Sequence, residues 1–261
     1  MIQQEALILE TALLSAGYYR LELLAPDIAD QALPGQFIQI RAADDGSLDP
    51  LLARPISLYR IDPQKGSVSI IVKTVGRGTA QLAAKQRGEL LKVWGPLGNG
   101  FAVPETARSL ALVAGGVGMP PLFGLAEQLR RERPELQLEL FYGGRTQRDL
   151  LELDQWEAAG IPVRAVTEDG SYGERGLVTA ALQKRLAEQN YDFLAACGPT
   201  PMLRAVRQLA LAAGIPGQLS LEAYMACGVG ACLGCVCKHK EGYRRVCVDG
   251  PVFAMDEVEL A

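Results

Sequence analysis

Residues 110–131 read LALVAGGVGMPPLFGLAEQLRR, and they decide how the middle of the chain folds. The stretch from Ser109 to Ala126 carries no charge and has the length of a membrane span. Gly115, Gly116, Gly118, Pro120 and Pro121 would break a lipid-exposed helix, however. The stretch reads instead as a buried strand, a glycine turn and a helix near Leu122 to Arg131.

The same rhythm repeats further along. LQLELFYGG (136–144) leads to a predicted helix near Asp149 to Ala159; PVRAVTE (162–168) leads to one from Leu177 to Leu186; DFLAAC (192–197) leads to one from Pro201 to Ala213. Strand and helix in alternation are the signature of βαβ units around a parallel sheet. Gly116-x-Gly118-x-x-Pro121 keeps two of the three glycines of the dinucleotide fingerprint, so a plain strand-to-helix turn remains an alternative. Tyr142-Gly143-Gly144-Arg145 and Cys197-Gly198-Pro199 also end strands, where open α/β sheets bind ligands. Gly116, Gly118, Tyr142, Arg145, Cys197, Gly198 and Pro199 are therefore the candidate dinucleotide contacts.

Before Pro104 the pattern is different. From about Tyr18 to Phe101, short runs (YYRLELLA, QFIQIRA, PISLYRI, SVSIIVKTV, ELLKVW) alternate with turns at Pro34-Gly35, Asp45-Gly46 and Lys65-Gly66. These predict an antiparallel barrel or sandwich. On it, Arg54 and Ser57 share a strand and suit a phosphate and a ring heteroatom, while the Gly78-Thr79 turn suits a second phosphate contact.

The C-terminal quarter holds ACGVGACLGCVCKHKEGYRRVC (226–247), with five of the six cysteines. Cys227-x4-Cys232-x2-Cys235, followed by Cys247, is the spacing of plant-type two-iron two-sulfur centres. A structural zinc site is the alternative, but four-cysteine zinc modules more often use two C-x2-C knuckles, and only Cys232 to Cys235 has that form. With His239 the single histidine, zinc fingers and centres that need two histidine ligands are excluded. Cys237 is the extra thiol; in an extended segment it would point to the same side as Cys235, and the spacing favours Cys235 as the ligand.

The chain has 261 residues, 49% hydrophobic content and a net charge of −4, with acidic and basic residues interspersed. That gives enough material for two compact domains and a small module, and it argues against a nucleic-acid or anionic-membrane partner. MIQQEALILE lacks the basic start of a secretory signal, so a reducing cytoplasmic setting is expected. A nicotinamide moves two electrons as hydride, whereas such a cluster passes one at a time. A flavin in the barrel would join the two.

ARPIS, VGRGT, GPLGNGF, AGGVGMPP, YGGR, ACGPTPM and ACGVGACLGCVCK, in that order, resemble the ferredoxin-reductase-like flavoproteins over nearly the whole chain, and within them the electron transfer subunits of NAD-dependent, class 1B dihydroorotate dehydrogenases. The resemblance implies that Arg54, Pro55, Ile56, Ser57, Ile71, Val72, Lys73, Gly78 and Thr79 hold FAD, that NAD binds the α/β domain, and that Cys227, Cys232, Cys235 and Cys247 ligate a 2Fe-2S cluster. Ile56 stands where the wider superfamily commonly has tyrosine, as in the dihydroorotate-type subunits. The resemblance further implies an FMN-containing catalytic subunit as partner in a hetero-oligomer, a heterotetramer, with electrons passing from that FMN through the cluster and FAD to NAD in pyrimidine biosynthesis. A (β/α)8 domain for dihydroorotate oxidation would itself need about 250 residues.

The expected fold is β plus α/β: an N-terminal antiparallel β-barrel for FAD (1–102), a central parallel-sheet NAD-binding domain (103–216) and a small C-terminal 2Fe-2S module (217–261), the last ordered by its metal centre. Two alternatives stand beside this reading. One is a diaphorase-type subunit of a hydrogenase, sulfide dehydrogenase or ferredoxin:NADP complex; the other is a zinc-stapled binding protein without redox chemistry.

Overall fold

Strand β1 (Ile2–Ser15) begins a barrel that the alternating pattern places only from Tyr18 onward. Ala6 and Ile8 are buried on its inner face, but Leu7, Leu9, Leu13 and Leu14 make the run apolar on both faces and hide the period of two. The computed structural model describes residues 1–43 and 46–260; the expected turn residue Asp45 lies outside them. After β1 come β2 (Tyr18–Leu24), α1 (Pro26–Gln31), β3 (Phe37–Ile40), β4 (Arg54–Asp62), β5 (Ser67–Lys73), α2 (Arg77–Ala84) and β6 (Leu90–Leu97). The six strands close in the order β1-β2-β5-β4-β3-β6, because β1 is long enough to pair with β2 on one side and β6 on the other. Ile8, Leu21, Ile38, Ile40, Ile70 and Val72 fill the interior, and Leu82 of α2 packs with them.

A seven-stranded sheet follows, in the order β10-β9-β8-β7-β11-β12-β15. Its elements are β7 (Ser109–Gly115), α3 (Met119–Glu132), β8 (Gln137–Gly144), α4 (Leu153–Ala158), β9 (Val163–Thr167), β10 (Glu174–Arg175), α5 (Val178–Glu188), β11 (Phe193–Cys197), α6 (Thr200–Ala212) and β12 (Gly217–Ser220). The strands from β10 to β12 are parallel, and β7 is buried from Leu110 to Gly115, as a strand covered on both faces must be. Helix α3 starts at Met119 rather than Leu122, since a proline in the first turn gives up no intrahelical hydrogen bond. Helix α4 starts later than expected. A short 3₁₀ turn occupies Gln147–Asp149, and Glu152 adopts φ +53° with its carboxylate 2.7 Å from Arg20 of the barrel.

The sheet does not end at residue 216. Strand β12 pairs with β11, and β15 (Val252–Ala254) pairs antiparallel with β12, so the cysteine segment is a loop-rich insertion between two strands of the nucleotide sheet. It has a three-stranded sheet of its own, β14-β13-β16, from β13 (Val236–His239), β14 (Gly242–Arg245) and β16 (Val258–Glu259). It also shares a core: Cys235, Val246, Cys247 and Val258 are buried in one cluster with Phe37 and Leu97 of the barrel and Leu219 of the sheet. Apolar packing, and not a metal centre alone, therefore gives this module its order.

Barrel and sheet meet where α3 lies against β4. The Phe123 ring is 4.9 Å from Tyr59 and 4.8 Å edge-on from Trp156, and all three side chains are fully buried. Phe123→Ala should lower stability by about 3–5 kcal/mol, the usual cost of an aromatic-sized cavity. Chemical denaturation measures this, and a loss below about 1 kcal/mol would contradict the packing described.

Candidate functional site

The barrel brings two of its expected contacts together. Arg54 begins β4, and a Cβ added to Gly78 would stand 2.5 Å from its Nε, so the guanidinium lies directly on the first turn of α2. Its Nη1 donates to the Leu52 carbonyl at 2.6 Å, which fixes the fork in place. A cation beside a helix N-terminus is a fitting cradle for a phosphate. Thr79 is occupied locally: its Oγ1 accepts from the Val75 and Gly76 amides at 2.9 and 3.1 Å and so shapes the turn. Ile56 packs on the barrel core, while Pro55 and Ser57 pair with Gln39 and Phe37 of β3. Ile71 and Val72 are buried side chains, so only their backbone is available to a ligand, whereas Lys73 is exposed.

A cleft of about 580 Å³ opens at the C-terminal ends of the parallel strands, where the strand order reverses between β7 and β11. Gly116, Gly118, Arg145, Gly198 and Pro199 line it as expected. Gly118 must be glycine, because a Cβ there would meet the Cys197 carbonyl oxygen at 2.4 Å. Two expected contacts do not reach the cleft. Tyr142 is fully buried, its hydroxyl donating toward the Gly116 and Asp149 carbonyls at 3.1 and 3.2 Å and accepting from the Leu151 amide at 3.0 Å. It supports the glycine turn from behind. Cys197 is likewise buried, and burial pushes its thiol well above the usual range, with Glu222 adding to the effect.

Lys73 and Glu222 also line this cleft. The resemblance marks Lys73 for the flavin only, and no motif singles out Glu222; their shared place in the cleft was hidden because it depends on tertiary structure. Glu222 is exposed to the cleft and flanked by its walls. Desolvation raises its carboxyl, against the pull of the Lys73 charge. Lys73 also lies 3.8 Å from Asp149, which accepts a 2.5 Å hydrogen bond from Tyr18. Burial disfavours the Asp149 carboxylate, but the Tyr18 hydroxyl, the Thr146 amide and Lys73 outweigh it and hold its pKa low.

The cysteine loop is built around its sulfurs. The Val229 amide lies 3.4 Å from Cys227 Sγ, the Gly234 amide 3.5 Å from Cys232 Sγ and the Cys247 amide 3.4 Å from Cys235 Sγ. Burial would raise the Cys227 thiol, but the Val229 and Cys232 amides, the Cys232 thiol and the Ala231 amide bring it down to about 6. Cys247 is pushed up to about 12 by burial and by the neighbouring Cys235. The thiols thus form two neighbouring pairs, Cys227 with Cys232 and Cys235 with Cys247. Two pairs of thiols with amides aimed at sulfur suit a two-iron centre, in which each iron takes two cysteines. Among the described residues no three His, Cys, Asp or Glu side chains converge on one ion. Cys237 lies on β13, half-buried, whereas Cys235 precedes that strand, so the alternation argument that would align the two does not apply.

The barrel and an ion pair hold the loop. Asn99 donates from Nδ2 to the Val248 and Asp249 carbonyls at 3.2 and 3.0 Å, and its amide donates to the Gly250 carbonyl at 2.6 Å. Arg245 pairs with Asp249 at 3.1 Å through both Nε and Nη2.

Comparison with known proteins agrees with this geometry. Residues 222–259 match the family described as the iron-sulfur cluster binding domain of dihydroorotate dehydrogenase B, and residues 112–208 match the oxidoreductase NAD-binding domain. The chain is 43% identical over 255 residues, 95% of each chain, to the dihydroorotate dehydrogenase B (NAD(+)) electron transfer subunit of Geobacillus kaustophilus (strain HTA426). It is 35% identical to the corresponding subunit of Desulforamulus reducens (strain ATCC BAA-1160 / DSM 100696 / MI-1), again over 95% of each. Among solved structures, one of an NADH-dependent reduced ferredoxin-NADP oxidoreductase, reported in work on flavin-based electron bifurcation, superposes with a TM-score of 0.88. It is 29% identical, and the match covers 98% of this chain and 90% of that one.

Tyr142→Phe removes the hydroxyl that serves Gly116, Asp149 and Leu151 and leaves the buried Leu151 amide unpaired. Denaturation should register a loss of about 1–3 kcal/mol. An unchanged midpoint would show that the tyrosine does not support the turn.

Proposed function

This chain belongs to the family of dihydroorotate dehydrogenase B electron transfer subunits, and from that premise we propose that it relays electrons between a dihydroorotate-oxidising subunit and NAD in pyrimidine biosynthesis. The observation that carries the reading is identity of 43% over 95% of both chains, in a protein whose four-thiol loop suits a two-iron centre. Bound in their sites, a 2Fe-2S cluster passes single electrons, FAD exchanges electrons singly or in pairs, and NAD takes a hydride.

The chain's own residues do the holding and the shielding. Cys227, Cys232, Cys235 and Cys247 would ligate the cluster, and the amides of Val229, Gly234 and Cys247 would hydrogen-bond its sulfurs. Arg54 and the Gly78 turn would hold the FAD phosphates, with Pro55, Ile56 and Ser57 along the ring. The backbone of Ile71 and Val72 and the side chain of Lys73 would complete that wall. Gly116, Gly118, Arg145, Gly198 and Pro199 would contact NAD, with Tyr142 and Cys197 packed behind them. Lys73 and Glu222, in the cleft, would set the charge beside the nicotinamide.

The partner in this reading is an FMN-containing catalytic subunit, and the assembly is a hetero-oligomer in the cytoplasm, where thiols stay reduced. Val229, Leu233, Val236 and Tyr243 are exposed apolar side chains on and beside the cysteine loop, a suitable face for that subunit. No described helix is long and apolar enough to cross a membrane. The likeness to the ferredoxin-NADP oxidoreductase favours a second reading, a subunit with the same cofactors and a ferredoxin-linked partner. Its lower identity, 29%, ranks it second.

In anaerobically purified protein, Cys232→Ser should abolish bound iron and acid-labile sulfide and leave NADH-dependent bleaching of the flavin largely intact. Cys237→Ser should keep iron at the level of the unaltered chain. Iron lost from Cys237→Ser would overturn the ligand assignment, and flavin reduction lost from a folded Cys232→Ser variant would overturn the order of carriers.

A further inference from the structure

One buried amide lacks a partner where the barrel meets the cysteine loop. Gln39 sits on β3 between Ile38 and Ile40, whose side chains fill the barrel, so by strand alternation Gln39 points outward, like Phe37. Phe37 packs in the cluster that contains Cys235 and Cys247. Gln39 is fully buried, and neither its Nε2 nor its Oε1 has a hydrogen-bond partner. A Cβ added to Gly228 would come within 2.8 Å of both Cγ and Nε2 of Gln39, so the amide is pressed against the residue that follows Cys227. Gly228 has φ +70° and no side chain, which is what lets the loop come that close.

An unpaired buried amide is costly, and leucine or methionine would fill the same volume without that cost. The loop beside it is the one whose backbone amides already point at sulfur. On its other side, Gln39 pairs in register with Pro55, on the strand that carries Arg54 and Ser57. The unsatisfied donor therefore stands between the cysteine loop and the strand that carries Arg54 and Ser57.

We propose that Gln39 is a positioning residue for the iron-sulfur centre, its free side-chain N–H available to the sulfurs of the cluster that the Cys227 loop would hold and so favouring the reduced cluster. The proposal rests on the electron-transfer reading and deepens it. Hydrogen bonds to cluster sulfurs offset the extra negative charge of the reduced form and raise the midpoint potential.

The test is an anaerobic redox titration of the holoprotein, followed by electron paramagnetic resonance, on the unaltered chain, Gln39→Leu and Gln39→Met, with iron, sulfide and flavin counted in each. The expected result is full iron and flavin with a lowered cluster midpoint. A tenfold weaker preference for the reduced form corresponds to about 59 mV for a one-electron couple. An unchanged midpoint in an iron-replete variant overturns the proposal, as does loss of iron from both variants with FAD retained, which would make Gln39 purely structural. Absence of iron and flavin from the unaltered chain would overturn the electron-transfer reading itself and is distinguishable from either outcome.

Discussion

The cysteine loop is tied at both ends into the nucleotide sheet, and the rest of the arrangement depends on that constraint. Strand β12 enters the module from beside β11, and β15 returns from it to pair with β12. Whatever the four thiols hold is thus fixed relative to the cleft at the ends of β7 and β11. The barrel closes the third side, through Asn99 on the 248–250 backbone and through Phe37 and Leu97 in the shared core. A one-electron carrier has use only if its neighbours stand at a fixed short distance, and a loop anchored on three sides satisfies that need.

A second seam holds the barrel to the cleft. Tyr18 donates to Asp149, Lys73 approaches the same carboxylate, and Arg20 pairs with Glu152, whose side chain is only 6% exposed. A partly buried pair of this kind is weak support for stability, since removing two charges from water offsets much of their attraction. Its geometric effect is clearer: it sets Lys73 at the border between the barrel wall and the cleft, where Glu222 also opens. The left-handed backbone of Glu152 is the local cost of reaching across.

Much of this was legible in the sequence, because its signals are local. Alternating apolar runs marked five of the six barrel strands, the strand-turn-helix rhythm marked the parallel sheet, and the spacing of four cysteines marked a two-iron centre. What was not legible depends on contacts distant in sequence. β1 is apolar on both faces and loses its period; the module's core is borrowed from the barrel and the sheet; Tyr142 and Cys197 end strands as ligand residues do, but the third dimension turns them inward. Glu222 and Gln39 carry no motif at all. Each is one polar residue whose meaning comes from what lies around it, a carboxylate lining a cleft and an amide pressed on Gly228.

The most direct test of the central claim is isolation of the native complex by pulldown of this chain under anaerobic conditions, followed by assay of dihydroorotate-dependent NAD reduction with the partner present and absent. The expected result is a copurifying flavoprotein subunit, NADH formed from dihydroorotate only when both chains are present, and iron, sulfide and FAD on this chain. A partner that does not act on dihydroorotate, or a chain that carries zinc and no flavin, would contradict it.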